Sequence, residues 1–273
     1  MTAEPGPTSP AAAEHPERIL LSDALTEALA GLAARPSILV ALDFDGTLAP
    51  LQDDPAASRA LPEAASAIRA LASLPGVHVA LVSGRGLENL REVGEADPRV
   101  LLVGSHGAEW DLGHGRQQAE SDAAALAELA DEVRAALADV PDARLDVKPH
   151  GVTVHSRGLG AEQAQRIAVA LAPLRARPHV TARDGHDIVE LALSAATKAD
   201  GLTLLRAHTG AEAVLFAGDD VTDEDALAAL GPEDVGIRVG EGASRARFRV
   251  ADAAVMARVL TVLLEERFEQ RHG

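Results

Sequence analysis

The chain has 273 residues, of which 47% are hydrophobic and none is cysteine, and its formal net charge is −17. Without cysteine it cannot form disulfides or thiolate metal sites, and this composition suits a reducing, cytoplasmic location. The acidic balance argues against nucleic-acid binding, which needs clustered lysine and arginine, and no apolar stretch approaches the roughly 18 residues of a membrane span.

The N-terminal part of the chain predicts a tail, a helix and a buried strand. Residues 1–17 are rich in proline, alanine, glycine and glutamate without periodicity, which predicts disorder, and they contain no signal-peptide pattern. Ser22 is placed to cap a helix over residues 23–34. The apolar run at residues 38–42 is typical of a strand that is buried on both faces of a parallel sheet.

Two carboxylates, Asp43 and Asp45, follow this strand directly, and Gly46 after them permits a sharp turn. The carboxyl ends of parallel strands are where α/β enzymes place their working groups. Taken alone, the pattern also fits half of a calcium loop, which would need further ligands and a closing glutamate that this segment lacks. A simple strand-end cap is the other reading, so the meaning of this pair depends on residues further along the chain.

The next segments alternate between helix and strand. A helix is predicted over residues 62–74, a strand over 77–82, a short helix around Leu87 and Leu90, and a strand over 100–103. This rhythm predicts a parallel, right-handed α/β sheet. The second strand ends in Ser83, and the third leads into a segment that contains His106 and Glu109.

After residue 111 the rhythm changes. Helices are predicted over residues 121–138 and 161–174, each followed by a pair of short alternating strands, over 144–148 with 152–156 and over 180–183 with 187–191. Helix and hairpin in this order predict an α+β unit with an antiparallel sheet. We therefore expect residues 112–193 to form a second domain inserted into the first.

The α/β pattern then resumes and completes the first domain, which we expect to comprise residues 18–111 and 194–273. Its predicted elements are a helix over 197–208, a strand over 213–217, a helix over 223–230, a strand over 235–239 and a closing helix over 252–268. Lys198 lies at the start of the first of these helices, and Asp219 follows the first of these strands.

Four signals thus fall at strand ends or helix starts of one domain: Asp43 with Asp45, Ser83, Lys198 and Asp219. Singly, each is a common turn, surface or capping residue. Together and in this order, they are similar to the four sequence motifs of the haloacid-dehalogenase-like phosphatase superfamily. The resemblance implies an α/β, Rossmann-like parallel-sheet hydrolase core with an inserted, smaller α+β cap domain.

The residue types suit phosphoryl transfer. Asp43, ionised at neutral pH, could attack phosphorus and form an aspartyl-phosphate, and Asp45 could protonate the leaving oxygen and later deprotonate water. Packing these carboxylates with Asp219, and with Asp220 or Asp223, would be repulsive, so we expect Mg²⁺ as cofactor.

A closer resemblance, over roughly residues 37–268, is to the trehalose-6-phosphate phosphatases. It is carried by the segments 42–48, 82–85, 104–109 and 218–226 of the core and, in the cap, by Lys148, the segment 152–157 and Glu190. Two departures are present: Glu190 is followed by Leu191-Ala192-Leu193 where the family commonly has arginine or lysine and then proline, and Lys198 precedes alanine where glycine is usual.

The resemblance implies a role for each matching residue. Asp43 is the expected nucleophile and Asp45 the expected general acid and base. The expected groups are then, for phosphate, Ser83 and Lys198; for the sugar phosphate, His106, Glu109, Lys148, Arg157 and Glu190; and for Mg²⁺, Asp43, Asp45, Asp219 and Asp220. Lys148, His155 and Arg157 also fit the polar, solvated face of an antiparallel strand.

The activity that the resemblance implies is hydrolysis of trehalose 6-phosphate to trehalose and phosphate, a step of trehalose biosynthesis. Alternatives are another capped sugar phosphatase, acting on sucrose 6-phosphate or mannosyl-3-phosphoglycerate, and a catalytically silent domain that binds a sugar phosphate. A phosphomannomutase is a weaker alternative, and unlike a hydrolase it would need an activating bisphosphate. The expected partner is a small sugar phosphate, with neither nucleic acid nor membrane, and the sequence leaves open whether a trehalose-phosphate synthase associates.

Overall fold

A computed structural model describes residues 21–52, 54–119, 123–185 and 187–272. The predicted tail, residues 1–17, lies outside the described residues. Within them the helices are α1 (Asp23–Ala33), α2 (Pro62–Leu71), α3 (Leu87–Val93), α4 (Ala123–Ala136), α5 (Ala161–Arg175), α6 (Lys198–Thr209), α7 (Asp223–Ala228) and α8 (Ala253–His272). The strands are β1 (Ile38–Leu42), β2 (Val77–Val82), β3 (Leu101–Gly104), β4 (Glu109–Asp111), β5 (Arg116–Gln118), β6 (Arg144–Lys148), β7 (Gly151–His155), β8 (Thr181–Gly185), β9 (Ile188–Ala192), β10 (Ala213–Gly218), β11 (Val235–Val239) and β12 (Phe248–Val250).

A large sheet of eight strands has the order β12-β11-β10-β1-β2-β3-β4-β5. The strands from β12 to β3 pair in parallel, with β1 at the centre between β10 and β2. The chain leaves β1 toward β2 on one side and returns to β10 on the other, which makes the carboxyl end of β1 a topological switch point. Residues that follow β1, β2 and β10 therefore converge on one crevice.

The large sheet is buried on both faces. In β1, Ile38, Val40 and Leu42 pack into one apolar cluster with α1, α2 and α8, while Leu39 and Ala41 pack into a second cluster with α6 and α7. Because both faces are covered, the strand has no polar position, and this explains its uninterrupted apolar sequence. The predicted α/β class is confirmed.

A second sheet of four antiparallel strands has the order β6-β7-β9-β8. Helices α4 and α5 cover one of its faces through an apolar cluster that includes Val133, Leu171, Val152 and Val154. Residues that alternate with these valines point to the opposite, polar face. That polar face is the one that matters for the site.

The structure differs from the sequence-based expectation at the edges of the large sheet. Strands β4 and β5 pair antiparallel to β3, and β12 adds a further parallel strand; none of the three was predicted. In particular Arg116–Gln118, which fell within the predicted second domain, belongs to the large sheet. All three residues of β5 are exposed and polar, so backbone pairing forms the strand without any hydrophobic alternation.

Candidate active site

The pair Asp43 and Lys198 forms the centre of the site. Asp43 follows β1, Lys198 opens α6, and the Lys198 Nζ donates to Asp43 Oδ1 at 2.6 Å although 155 residues separate the two in sequence. Both side chains are buried, with exposed fractions of 6% and 3%. The fold thus brings together two residues that are far apart in the chain and that the sequence singled out.

A third charged group completes this centre. Lys198 Nζ also donates to Asp223 Oδ1 at 2.6 Å, and the other Asp223 oxygen accepts from the backbone N–H groups of Asp219 and Asp220 at 3.1 and 2.9 Å. Asp223 therefore holds both the lysine and the loop after β10. Thr47 Oγ1 donates to Asp219 Oδ1 at 3.2 Å and links this loop to the segment after β1.

Carboxylate crowding shifts the pKa values of the centre. Burial, together with the charges of Asp223 and Asp219, raises the pKa of Asp43 well above its usual range, against the opposing effect of Lys198. Burial and the charge of Asp223 raise the pKa of Asp219 to about 6. Burial disfavours the charge on Lys198, but the two flanking carboxylates outweigh it and raise the pKa of this lysine.

Oxygen atoms of Asp43, Asp219 and Asp223 all lie within 4.8 Å of one another. Such a group of carboxylates suits a hard divalent cation, which takes oxygen ligands. The raised pKa values of Asp43 and Asp219 fit the same conclusion, since a bound cation would favour the charged carboxylates against the burial and the repulsion that raise these values. The donor set therefore fits a metal ion such as Mg²⁺.

Asp220 and Asp223 are placed differently from what the sequence suggested. The carboxylate that joins Asp43 and Asp219 is that of Asp223, while Asp220 lies outside this cluster and its Oδ1 accepts from Val221 N at 2.7 Å. Asp220 does line the cavity described below. The sequence offered both residues as neighbours of Asp219 and could not separate them, because a helix start turns consecutive side chains in different directions.

Close packing at two glycines makes this geometry possible. Gly46 has a φ of +78°, and a Cβ at this position would lie 2.1 Å from Asp219 Oδ2. A Cβ on Gly218 would lie 2.2 Å from the carboxyl carbon of Asp223. Only glycine leaves room for the carboxylates at these positions.

The second carboxylate of the motif, Asp45, is held by Arg85 and Ser58. Arg85 Nε donates to Asp45 Oδ2 at 2.5 Å and its Nη2 to Oδ1 at 2.6 Å, in a bidentate pair, and Ser58 Oγ donates to Oδ1 at 2.9 Å. The Arg85 guanidinium also lies 5.8 Å over the Phe44 ring. The motif containing Ser83 thus supplies the cation that orients Asp45, a role that the sequence analysis did not identify.

Ser83 and His106 belong to neighbouring strand ends. Ser83 is buried directly after β2, where its Oγ accepts from Arg85 N at 3.1 Å. His106 lies in a turn in which Ser105, His106 and Gly107 all have positive φ, at 48°, 55° and 110°. For two non-glycine residues this backbone is unfavourable, and such strain is typical of functional sites.

Three contacts join the small sheet to the large one at this place. Lys148 Nζ donates to Gly84 O at 2.9 Å, Arg157 donates to Gln52 O, and His106 Nε2 lies 3.0 Å from Glu190 Oε2. The small sheet therefore covers the carboxyl ends of β1 and β2.

Glu190 is charged in this arrangement. Burial opposes its charge, but the hydrogen bond with His106 and the charge of Lys148 bring its pKa down to about 2. Burial lowers the pKa of His106, so the neutral imidazole donates Nε2–H to Glu190. The Nδ1 atom of His106 is then a buried acceptor without a hydrogen-bond partner among the described residues.

Glu109 is fully buried and both of its oxygens are already bonded. Oε2 accepts from Leu87 N at 3.1 Å and from Ser105 Oγ at 2.7 Å, and Oε1 accepts from Arg116 at 2.6 Å. Glu109 thereby fixes the start of α3 and the strained turn before it. In this state it supports neighbouring segments rather than offering a free acceptor.

A cavity of about 740 Å³ lies between the two sheets. Its volume is in the range of small-molecule sites. Every residue that the sequence analysis assigned to the site lines it: Asp43, Asp45, Ser83, His106, Glu109, Lys148, Arg157, Glu190, Lys198, Asp219 and Asp220. The arrangement combines a buried carboxylate, cations for an anionic group and a polar roof.

The sequence matches the family model for trehalose-phosphatase over residues 41–253. The trehalose-phosphate phosphatase of Mycobacterium avium is 33% identical to this chain over an alignment of 273 positions, which covers 92% of this chain and 68% of that protein. The trehalose-phosphate phosphatase of Mycobacterium tuberculosis is 33% identical over 246 residues, covering 83% of this chain and 61% of that protein.

Solved structures agree with this match. A trehalose-6-phosphate phosphatase related protein superposes with a TM-score of 0.72 at 26% identity, over 85% of this chain and 99% of that chain. The C-terminal domain of Candida albicans trehalose-6-phosphate phosphatase superposes with a TM-score of 0.79 at 18% identity, over 88% and 96%. The latter likeness shows a shared fold.

No helix among the described residues is both long and apolar enough to cross a membrane.

Proposed function

Because this chain belongs to the trehalose-phosphatase family, we propose that it hydrolyses trehalose 6-phosphate to trehalose and inorganic phosphate. The observation that carries the proposal is the contact of Asp43 with Lys198 beneath a cavity that the small sheet covers. A lysine buried beside a carboxylate at a strand end can hold a phosphoryl group close to that carboxylate. The metal, the intermediate and the residue roles given below are parts of the same proposal.

Asp43 acts as the nucleophile. One of its oxygens forms a bond to phosphorus while the bond from phosphorus to the sugar oxygen breaks, and Asp45 gives its proton to that leaving oxygen. In the second step Asp45 takes a proton from water, whose oxygen attacks phosphorus and releases Asp43. Before the first step Asp45 needs a proton and must loosen its pair with Arg85, which occupies both of its oxygens.

Lys198 and Ser83 bind the phosphoryl oxygens, whose charge persists through the transition state. Both side chains are buried at the floor of the cavity, so little water competes with them. Asp43, Asp219 and the backbone carbonyl of Asp45 would hold Mg²⁺, with Asp223 or Asp220 as further support. When bound, the ion would neutralise charge on the phosphoryl group and on these carboxylates.

The sugar is bound by the roof of the cavity. Lys148, Arg157 and Glu190 of the small sheet, with His106 and Glu109 below them, are polar groups that suit hydroxyls and phosphate. Lys148 and Arg157 bond to backbone carbonyls in the loops that follow β2 and β1, so substrate entry requires these contacts to be exchanged. A cytoplasmic location and a place in trehalose biosynthesis go with this proposal.

Phosphate release from a panel of sugar phosphates tests the proposal. The panel contains trehalose 6-phosphate, sucrose 6-phosphate and mannosyl-3-phosphoglycerate, each with Mg²⁺ and with a chelator. We expect trehalose 6-phosphate to have the highest kcat/KM, and the chelator to abolish turnover. Equal or faster hydrolysis of either other compound would refute the choice of sugar, and no turnover of any compound would identify a silent binding domain.

The Asp43→Asn variant tests the nucleophile. The substitution keeps the shape of the side chain, so we expect an unchanged circular dichroism spectrum and a loss of turnover of at least about 10³-fold. Glu128→Gln, on the exposed side of α4, is a matched control that removes one carboxylate remote from the cavity. Substantial Mg²⁺-dependent activity in Asp43→Asn would contradict the assignment.

A further inference from the structure

Arg238 is a buried cation next to the loop that carries Asp219. It lies on β11, and the strand register places it beside Gly218, the last residue of β10. Only 9% of the residue is exposed, and it is not among the described residues that line the cavity. A buried charge outside the cavity is costly unless protein groups satisfy it, so the partners of Arg238 indicate its role.

The guanidinium of Arg238 joins the loop after β10 to the loop after β11. Its Nη1 donates to Asp220 O at 2.9 Å and lies 3.5 Å from Glu224 Oε1, in the first turn of α7. Its Nη2 donates to Glu241 O at 3.2 Å. Glu224 Oε2 in turn accepts from Arg245 N at 2.7 Å. One buried side chain thus holds two loops and a helix start together.

The carbonyl that Arg238 holds belongs to the turn between two members of the carboxylate cluster. Asp219 precedes this turn, and Asp223 N donates to the same Asp220 O at 3.2 Å. Within the described chain Thr222, at the N-cap of α7, makes no side-chain capping hydrogen bond, so the usual support of a helix start is missing here. Arg238 therefore constrains the backbone from which the carboxylates of Asp219 and Asp223 project.

Arginine suits this position better than lysine would. Its planar fork reaches two carbonyls on different loops at once, whereas a lysine ammonium is a single point charge. The Arg238 Nε is buried and has no hydrogen-bond partner among the described residues, which is a cost to stability. Such a cost fits a role in the site better than a role in folding alone.

We propose that Arg238 is a positioning residue for the metal. It fixes the backbone of residues 219–223 so that the Asp219 carboxylate, supported by Asp223, points at the Mg²⁺ position, which Arg238 itself does not reach. The inference rests on the proposed function, of which the Mg²⁺ site is a part, and extends that function to a residue outside the cavity. Loss of a group that orients metal ligands typically weakens metal binding by about 10–100-fold.

Two substitutions, Arg238→Met and Arg238→Lys, test this role. We expect Arg238→Met to raise the dissociation constant for Mg²⁺, measured by isothermal titration calorimetry without substrate, by about tenfold or more. Arg238→Lys keeps the charge but not the fork, so we expect a rise of about threefold to tenfold, and this variant decides the question if Arg238→Met does not fold. At saturating Mg²⁺ both variants should have kcat and KM for trehalose 6-phosphate within about twofold of the wild type, because Arg238 touches neither substrate nor reacting atoms.

Arg249→Met is the matched control. Arg249 is the register partner of Arg238 on β12, and its exposed side chain donates to Gly240 O and Gly242 O in the loop after β11. Among the described residues, none of its side-chain hydrogen bonds reaches residues 219–223. We therefore expect this variant to bind Mg²⁺ as the wild type does.

Stability measured apart from binding distinguishes a positioning role from a role in folding. If Arg238 only stabilises the fold, both of its variants should have a lower thermal midpoint in chelator. Their dissociation constants for Mg²⁺, measured well below that midpoint, should then stay within about twofold of the wild type. That result would overturn the inference, and so would a loss of kcat that saturating Mg²⁺ does not restore.

The outcome for the proposed function is read separately in the wild-type protein. If the wild type binds Mg²⁺ and both Arg238 variants bind it equally well, the positioning role is refuted and the proposed metal stands. If the wild type binds no Mg²⁺, the proposed metal and this role are both refuted. A wild type that binds Mg²⁺ but prefers another sugar phosphate would refute the choice of sugar alone, and the comparison of dissociation constants would still decide the role of Arg238.

Discussion

Individual side chains at the centre of the site are held in place both by close packing and by paired charges. Gly46 illustrates this, because its backbone has a positive φ and its Cα hydrogen faces the Asp219 carboxylate. Asp43, Lys198 and Asp223 form a buried chain of charges in which each group compensates the next. Substitution of any one of these three residues therefore leaves a neighbouring buried charge without its partner.

Replacing Gly46 by alanine should disrupt the centre. The new Cβ would lie 2.1 Å from Asp219 Oδ2 and would also disfavour the backbone conformation, so we expect a loss of about 2–4 kcal/mol in the free energy of unfolding. Gly31→Ala is the matched control: Gly31 lies within α1 with no atom near its Cβ position, and alanine there should stabilise by about 0.5–1 kcal/mol. Equal effects of the two substitutions in urea unfolding would contradict this reading.

Asp219 should make the metal-free protein less stable as the pH rises. Its pKa is about 6 in the folded protein and 3.8 in the reference state. Below pH 4 both states are protonated, whereas between pH 4 and 6 only the unfolded state releases the proton, so folding loses up to roughly 3 kcal/mol from this group.

Asp219→Asn should remove that loss. In chelator at pH 7 we expect the variant to be more stable than the wild type, with the difference vanishing below about pH 4. Mg²⁺ should then raise the thermal midpoint of the wild type more than that of the variant. Asp225→Asn, at an exposed position of α7, should follow the wild type. A pH-independent difference for Asp219→Asn would show that ionisation of Asp219 is not its cause.

At the scale of elements, helix starts and strand ends set the position of each functional group. Helix α6 presents Lys198 as its first residue, immediately after the capping residue Thr197. Thr197 and Asp200 form a reciprocal capping box, with Asp200 Oδ2 accepting from Thr197 N at 2.8 Å. The cap therefore determines where Lys198 enters the site.

Thr197→Ala should weaken both the helix and the site. Loss of the side-chain cap should cost about 1 kcal/mol of stability, and the looser first turn should raise KM for the phosphorylated substrate. Thr203→Ala is the control, since Thr203 lies on the exposed side of the same helix and, among the described residues, its side chain bonds only to Ala199 O. If both variants keep the wild-type KM, the cap has no role in placing Lys198.

At the scale of the whole molecule, the two apolar clusters of the large sheet lie on one side of the cavity and the single apolar cluster of the small sheet lies on the other. The core of the small sheet, formed with α4 and α5, is a separate cluster from the two that flank the large sheet. The two sheets are joined near the cavity by a few polar contacts. Such contacts can be broken and remade without unfolding either core.

Leu171→Ala should reveal this separation. Leu171 is fully buried in the core of the small sheet, so truncation should cost about 2–5 kcal/mol. In hydrogen exchange we expect faster exchange in β6 to β9, while β1 and β10 keep wild-type protection. Uniform acceleration over both sheets would show that they unfold as one unit.

The elements with strong hydrophobic patterns were predictable from the sequence. The bounds of β1 and β6 were located to the residue. For β1 the reason is that burial on both faces requires an uninterrupted apolar run, which is visible in the sequence. Strands β4, β5 and β12 escaped prediction, since each has three residues and is formed mainly by backbone pairing to a neighbour.

By itself the sequence determined the α/β class, the family and the residue types that suit a phosphatase, because motifs and periodicity are local properties of the chain. Only the tertiary structure decided which of Asp220 and Asp223 joins the carboxylate cluster and that Arg85 pairs with Asp45. It also shows that the Thr153 hydroxyl is buried with no hydrogen-bond partner among the described residues. These contacts join segments far apart in the chain or depend on the direction of one side chain at a turn. Such directions are fixed by packing in three dimensions, which leaves no periodic trace in the sequence.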